Sequence, residues 1–274
     1  MGDLPLMELL SFAAAGIAVG LVAGILAGVF GIGGGAVMVP VFYQALGAIG
    51  VDESVRMHIA VGTSLAIIVP TSLRSFQAHY RRNAVDTALL KSFLIPVPAG
   101  VVLASLVAAA ISSAGLRAIF GCIAIVVALR LLLNREHWRI GSEIPGNPVR
   151  AIVGLVLGFL STLMGIGGGV LNNTFMTVFG RPMHQAVATS SGVGVLISIP
   201  GVLGYVWAGW GDPNLPLGST GFVNWIAVAC IIPVTMLAAP LGVRVAHAVS
   251  KRQLEIAFGI FLLIVAARFF FSLT

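Results

Sequence analysis

The chain has 274 residues, of which 58% are hydrophobic and only 9% are Asp, Glu, Lys or Arg, with a formal net charge of +6. Soluble domains carry roughly 25% charged residues, so the composition excludes a water-soluble globule and points to a protein whose solvent is the lipid bilayer. The surplus cations, which in a soluble domain would suggest nucleic acid, fall between apolar runs and read as orientation signals, so no nucleic-acid partner is expected.

Apolar runs approaching the about 20 residues needed to cross a bilayer follow one another at Leu9–Phe30, Ile59–Leu73, Ser92–Ile111, Ala118–Leu133, Ala186–Trp207, Phe222–Val243 and Ile256–Phe271. They are continuous rather than alternating, and lipid offers the backbone no hydrogen-bond partner, so they read as helices. The fold class is an all-α integral membrane protein. No Lys or Arg precedes Arg56, so the start lacks the basic region of a cleavable signal peptide and the first helix is expected to stay. Cys122 and Cys230 lie inside apolar runs without metal-ligand spacing, so neither a metal nor another cofactor is expected.

The chain repeats itself. Gly20–Gly35 (GLVAGILAGVFGIGGG) matches Gly154–Gly169 (GLVLGFLSTLMGIGGG) at ten of sixteen positions. The match resumes at Met57–Ser64 against Met183–Ser190, at Ile95-Pro96-Val97 against Ile232-Pro233-Val234, at Phe120-Gly121 against Phe258-Gly259, and at Arg130 against Arg268. Each half thus holds about five segments in one order: residues 1–133 form the first membrane repeat, 134–147 a polar linker and 148–274 the second repeat. Short cytoplasmic loops carry an excess of Lys and Arg. Arg74, Arg81, Arg82 and Lys91 put one loop of the first half inside, whereas its counterpart, Ala208–Thr220, has Asp212 and no cation. With Arg135, Arg139 and Arg150 in or beside the linker also inside, each half crosses an odd number of times. The second repeat is therefore inverted, with both termini on the outer side; Arg268 near the end is a contrary sign.

Inverted repeats recur in secondary transporters, whose substrates bind at broken helices near the midplane. Gly31, Gly33, Gly34 and Gly35, and Gly165, Gly167, Gly168 and Gly169, place four glycines in five residues, each costing a helix about 1 kcal/mol relative to alanine. The arms that follow, Ala36–Ala45 and Val170–Phe179, are too short to span and read as broken or re-entrant helices. Each begins with unpaired N–H groups and about half a unit of positive charge, a seat for an anion without a buried cation. Asn172, Asn173 and Thr174 follow the second bend, whereas Met38, Val39 and Pro40 follow the first. That contrast suits a substrate with an anionic head and an apolar or uncharged remainder. By comparison, the i, i+4 spacing of Gly20, Gly24 and Gly28 reads as helix packing.

Thr63 and Ser64, with Thr189 and Ser190, form a second group that either meets the substrate or bonds back to helix carbonyls. His58 and His184, at the start of the same helices, read as caps, as interfacial residues or as proton relays, and Arg74, Gln77 and Lys91 are candidates to guard the cytoplasmic mouth. The nine carboxylates lie near segment ends or in loops, which disfavours carboxylate-based proton coupling. Trp207, Trp210 and Trp225 read as interfacial aromatics.

The doubled Gly-Ile-Gly-Gly-Gly, each copy preceded by a glycine-spaced helix and followed by Thr-Ser in the next one, resembles the sulfite exporter TauE/SafE family, also called toluene sulfonate uptake permeases. The likeness covers nearly the whole chain. It implies a bacterial inner-membrane permease for sulfite, sulfonate or sulfoacetate, with about eight spans if the short arms are not counted, and it fixes neither import nor export. An anion channel, a permease for another small organic anion and a membrane enzyme are the alternatives. No nucleophile–base pair or metal cluster supports the last. Homo-oligomerisation is left open.

Overall fold

The computed structural model describes residues 4–30, 35–133, 141, 143–247 and 249–273. Its elements are α1 (Leu4–Phe30), α2 (Gly35–Ala48), α3 (Glu53–Arg81), α4 (Thr87–Ser92), α5 (Pro96–Ala110), α6 (Ser113–Leu133), α7 (Val149–Leu163), α8 (Gly169–Val178), α9 (Met183–Ala208), β1 (Ser219–Thr220), β2 (Val223–Asn224), α10 (Trp225–His247) and α11 (Lys251–Phe271). Among the described residues, five helical stretches are long and apolar enough to cross a membrane: Glu53–Arg81, Ser113–Leu133, Met183–Ala208, Trp225–Gly242 and Arg252–Phe271. At 1.5 Å per residue α2 reaches about 21 Å and α8 about 15 Å, short of a hydrocarbon core about 30 Å thick.

Two runs differ from the sequence reading. Ser92–Ile111 is divided, with α4 ending at Ser92 and α5 starting at Pro96, where a missing N–H costs least. Phe222–Val243 becomes helical only at Trp225, because Thr220 pairs with Val223 and Ser219 with Asn224 in a two-residue antiparallel ladder. Of the linker, Asn134–Ile140 and Ser142 lie outside the described residues.

Glycine in the left-handed region closes both short arms. Gly50 (φ 80) ends α2, with Gly50 N–H donating to the Gly47 carbonyl and Val51 N–H to that of Leu46. Gly180 (φ 76) ends α8 in the same way, with bonds from Gly180 to Thr177 and from Arg181 to Met176. This paired 5→2 and 6→1 closure needs a residue free of a Cβ penalty.

The long helices, with α5 and α7, find their main partners in the other half, whereas the short arms α2 and α8 pack within their own. α1 packs along α10, and α7 along α5, while α3 lies against α9 and α6 against α11. Gly16, Gly20 and Gly24 abut Cys230, Val234 and Ala238, so close that an added Cβ would stand 2.9 Å from each partner side chain. On the other pair, a Cβ on Gly100 would run into the Leu155 carbonyl and one on Gly158 into that of Val97. The packing role read from Gly20 and Gly24 therefore holds.

The α6–α11 pair is antiparallel and clasped at both ends. Arg252 donates to the carbonyls of Leu131 (2.8 Å) and Leu132 (2.6 Å) at the end of α6. At the opposite end the buried Arg117 donates to the Tyr43 hydroxyl (2.9 Å) and the Ser272 hydroxyl (3.0 Å) and pairs with Glu53 (2.6 Å). Between the clasps Gly121 lies under the Phe270 ring, and Gly259 against Leu132.

Outside the spans, α3 is capped by Asp52, whose side chain accepts from Ser54 N–H at 2.8 Å. The Ser54 hydroxyl and amide hold that carboxyl below the usual range.

Candidate functional site at the helix breaks

The second break is built by the end of α7 and the start of α8. Gly165 (φ 63) closes α7, its N–H bonding the Thr162 carbonyl and that of Ile166 bonding Ser161. Gly168 (φ 71) is the N-cap of α8, and no side chain caps the helix start. Only the Asn172 N–H returns to Gly168, at 2.8 Å, so the earlier amides of the turn lie outside the helix's own ladder.

The start of α2 comes to meet it. A Cβ on Gly35 would stand 2.9 Å from both the Gly165 carbonyl and Ile166 Cα, and one on Gly165 would meet Val39 at 2.7 Å. Ser64 donates to the Gly165 carbonyl at 2.9 Å. Gly35, Ser64, Gly165 and Gly168 are thus gathered at one place in the core, with Gly167 at its half-exposed edge beside Ile68, Ser72 and Gly194. Gly31, Gly33 and Gly34 lie outside the described residues.

α3 and α9 cross this point in opposite directions, since Gly62 faces Tyr205, Leu65 faces Gly201 and Ser72 faces Gly194. Ser190 is fixed on the second arm: it donates to Asn173 Oδ1 (2.7 Å) and accepts from Asn172 Nδ2 (2.7 Å). The Thr63 and Thr189 hydroxyls are engaged in a matched way. Thr63 accepts from Asn224 N–H (3.0 Å), and Thr189 accepts from Asp86 N–H (2.9 Å) while donating to the Gln185 carbonyl. Asn224 caps α10 through Ala227 N–H, and Asp86 caps α4 through Leu89 N–H. Each threonine therefore holds the helix cap of the opposite half. An Asp or Asn just before an apolar run is the sequence signal that marks such caps.

The two histidines part company. His58 is buried, with Nε2 3.0 Å from the Ala108 carbonyl and its ring stacked on Phe222 at 4.6 Å, whereas His184 is exposed. Phe222 also crowds Gly62 through its carbonyl and donates its N–H to the Tyr205 carbonyl, so the hairpin closes over the start of α3. Arg74 and Gln77 are exposed on the last turns of α3, and Lys91 is exposed on α4; among the described residues no hydrogen bond joins the three. Arg181 and Asp86, 3.8 Å apart, tie the entry of α9 to the exit of α3.

Long apolar helices, two half-length arms and a buried meeting of their glycine ends define a multi-pass membrane transporter. The sulfite exporter TauE/SafE profile matches residues 16–269, and the chain belongs to that family. It is 30% identical over 253 residues to a probable membrane transporter protein of Haemophilus influenzae, covering 92% of this chain and 96% of that one. A probable membrane transporter protein of Methanocaldococcus jannaschii is 29% identical over 88% of each chain. A third, YunE of Bacillus subtilis, is 27% identical over 93% of this chain and 96% of its own. No solved structure matches.

Proposed function

We propose that the protein is a secondary transporter for small sulfur-containing anions of the sulfite, sulfonate or sulfoacetate class, working by alternating access of two inverted repeats in the inner membrane. The observation that carries the reading is a reciprocal contact. Phe120-Gly121 corresponds to Phe258-Gly259 in the repeat, and by the same offset Leu132 corresponds to Phe270. Gly121 meets Phe270 and Gly259 meets Leu132. Equivalent residues exchanging partners across an antiparallel pair is the behaviour of a two-fold relation, and here it lies between halves of one chain. The crossed caps on Thr63 and Thr189 support the same relation.

The relation is broken on one side. Buried positions in α9 continue through Ser198 and Gly201 to Tyr205, whereas in α3 they end at Ile68, leaving the equivalent Ser72, Ser75 and His79 accessible. α5 lies along α9 far more extensively than α10 lies along α3. This supports a state open at the end of α3, which Arg74, Arg81 and Arg82 mark as cytoplasmic, and closed at the hairpin. In a chain lacking Cys122 and Cys230, Ser72→Cys is then expected to react several-fold faster than Ser198→Cys with an impermeant maleimide added to inside-out vesicles. Faster labelling of Ser198→Cys, or equal rates, would refute the assigned opening.

The function itself is tested by uptake of labelled sulfite, sulfoacetate and taurine into proteoliposomes. Saturable flux with counterflow is expected; flux no greater than in protein-free vesicles removes the transport reading. Flux that neither saturates nor shows counterflow would favour a channel.

A further inference from the structure

Ser161 lies on the last turn of α7, fully buried, and its hydroxyl has no hydrogen-bond partner among the described residues. Unlike Thr162 beside it, which donates to the Gly158 carbonyl at 2.8 Å, it does not bond back to its helix. It faces the uncapped start of α8, 3.7 Å from where a Cβ of the N-cap Gly168 would sit. A buried, unpartnered hydroxyl is costly to keep, and the other half manages without one, having Ala27 at the corresponding position.

Asn172, in the same turn of α8, carries a complementary group. The Ser190 hydroxyl gives its one hydrogen to Asn173 Oδ1, so Asn172 can bond it only through Nδ2. In this arrangement Asn172 Nδ2 also lies 3.5 Å from the Met176 sulfur, and Asn172 Oδ1 is buried, an acceptor with no donor among the described residues. The corresponding residue of the first half is Met38.

We propose that Ser161 and Asn172 are substrate-contacting, specificity-determining residues. The Ser161 hydroxyl joins the first-turn amides of α8 in seating the oxyanion, and Asn172 Oδ1 accepts one hydrogen bond from the substrate. The preferred substrate class is a small oxyanion that also bears a donor, such as a protonated oxygen or an N–H. The assignment rests on the anion-transport reading above and goes beyond it by setting the donor–acceptor pattern.

Sulfamate and methanesulfonate test it, because they are monoanions of nearly the same shape that differ in an amino against a methyl group. Binding is read by calorimetry on the purified full chain, independently of transport. Wild type is expected to bind sulfamate about tenfold more tightly, the scale of one buried acceptor left unpaired. Asn172→Leu should erase the difference, and Ser161→Ala should weaken both ligands about tenfold with an unchanged or raised Tm. A lowered Tm with unchanged binding makes Ser161 structural and overturns its role. Equal binding of both ligands by wild type overturns the role of Asn172 and leaves the transport reading standing. Binding of neither by wild type overturns the sulfur-oxyanion reading and this assignment with it.

Discussion

Gly158→Ala is expected to strip most folded protein from the membrane. The added methyl would run into the Val97 carbonyl where α7 meets α5, and a neighbouring clash awaits at Gly100 against Leu155. Both obstacles are backbone, which cannot rotate away as a side chain can, so the helices must separate and forfeit contact along the pair. Overpacking costs about 1–3 kcal/mol in cores, and this case belongs at the upper end. Thermal unfolding in detergent should show a Tm well below wild type, with expression reduced in parallel. An unchanged Tm would mean that α5 and α7 are not in close contact.

Gly167→Ala should do the opposite, sparing the fold and removing transport. Gly167 is not in the left-handed region, so alanine can adopt its backbone conformation. Its Cβ would stand 2.9 Å from Ile68 Cγ2, a side-chain atom, and 3.7 Å from Gly194 Cα and Ser72 Oγ. The fold can absorb that at a cost of about 1 kcal/mol. The methyl, however, stands at the half-exposed edge of the break, between the open end of α3 and the first turn of α8. A displacement of about 1 Å at a reacting or binding centre can lower turnover about a hundredfold, and a loss of that order is expected in proteoliposome uptake, with Tm close to wild type. Wild-type flux would take Gly167 out of the substrate path.

These two glycines also mark what the sequence disclosed. The spacing of Gly20 and Gly24 indicated packing, because a close approach of helices in lipid needs small residues at one-turn intervals, and that signal is local. The clusters at the breaks were legible for a similar reason, since four glycines in five residues weaken any helix wherever it lies. The partners were not legible. Nothing around Thr63 announces Asn224, which lies 161 residues away, and nothing around Ser64 announces the Gly165 carbonyl. The hairpin escaped an all-α reading because strands of two residues have no periodicity to detect. The histidines show the limit of repeat reasoning: the same Met-His pair opens α9 but lies a turn inside α3, which Asp52 caps, and the hairpin covers His58 while His184 stays in the open. Ser161 was hidden in plain view within the repeat, as a polar residue opposite Ala27.

The exchange of partners between halves also sets the order in which the molecule can be made. α1 leaves the ribosome well before its main partner, and its surface of Gly16, Gly20 and Gly24 waits for α10, which is inserted some two hundred residues later. α5 likewise waits for α7, and α6 for α11. The first half therefore reaches the bilayer as loosely associated helices that lipid or the insertion machinery must shelter. Insertion of α10 and α11 completes the pairs, so a premature stop before Trp225 leaves α1 and α6 without their main partners.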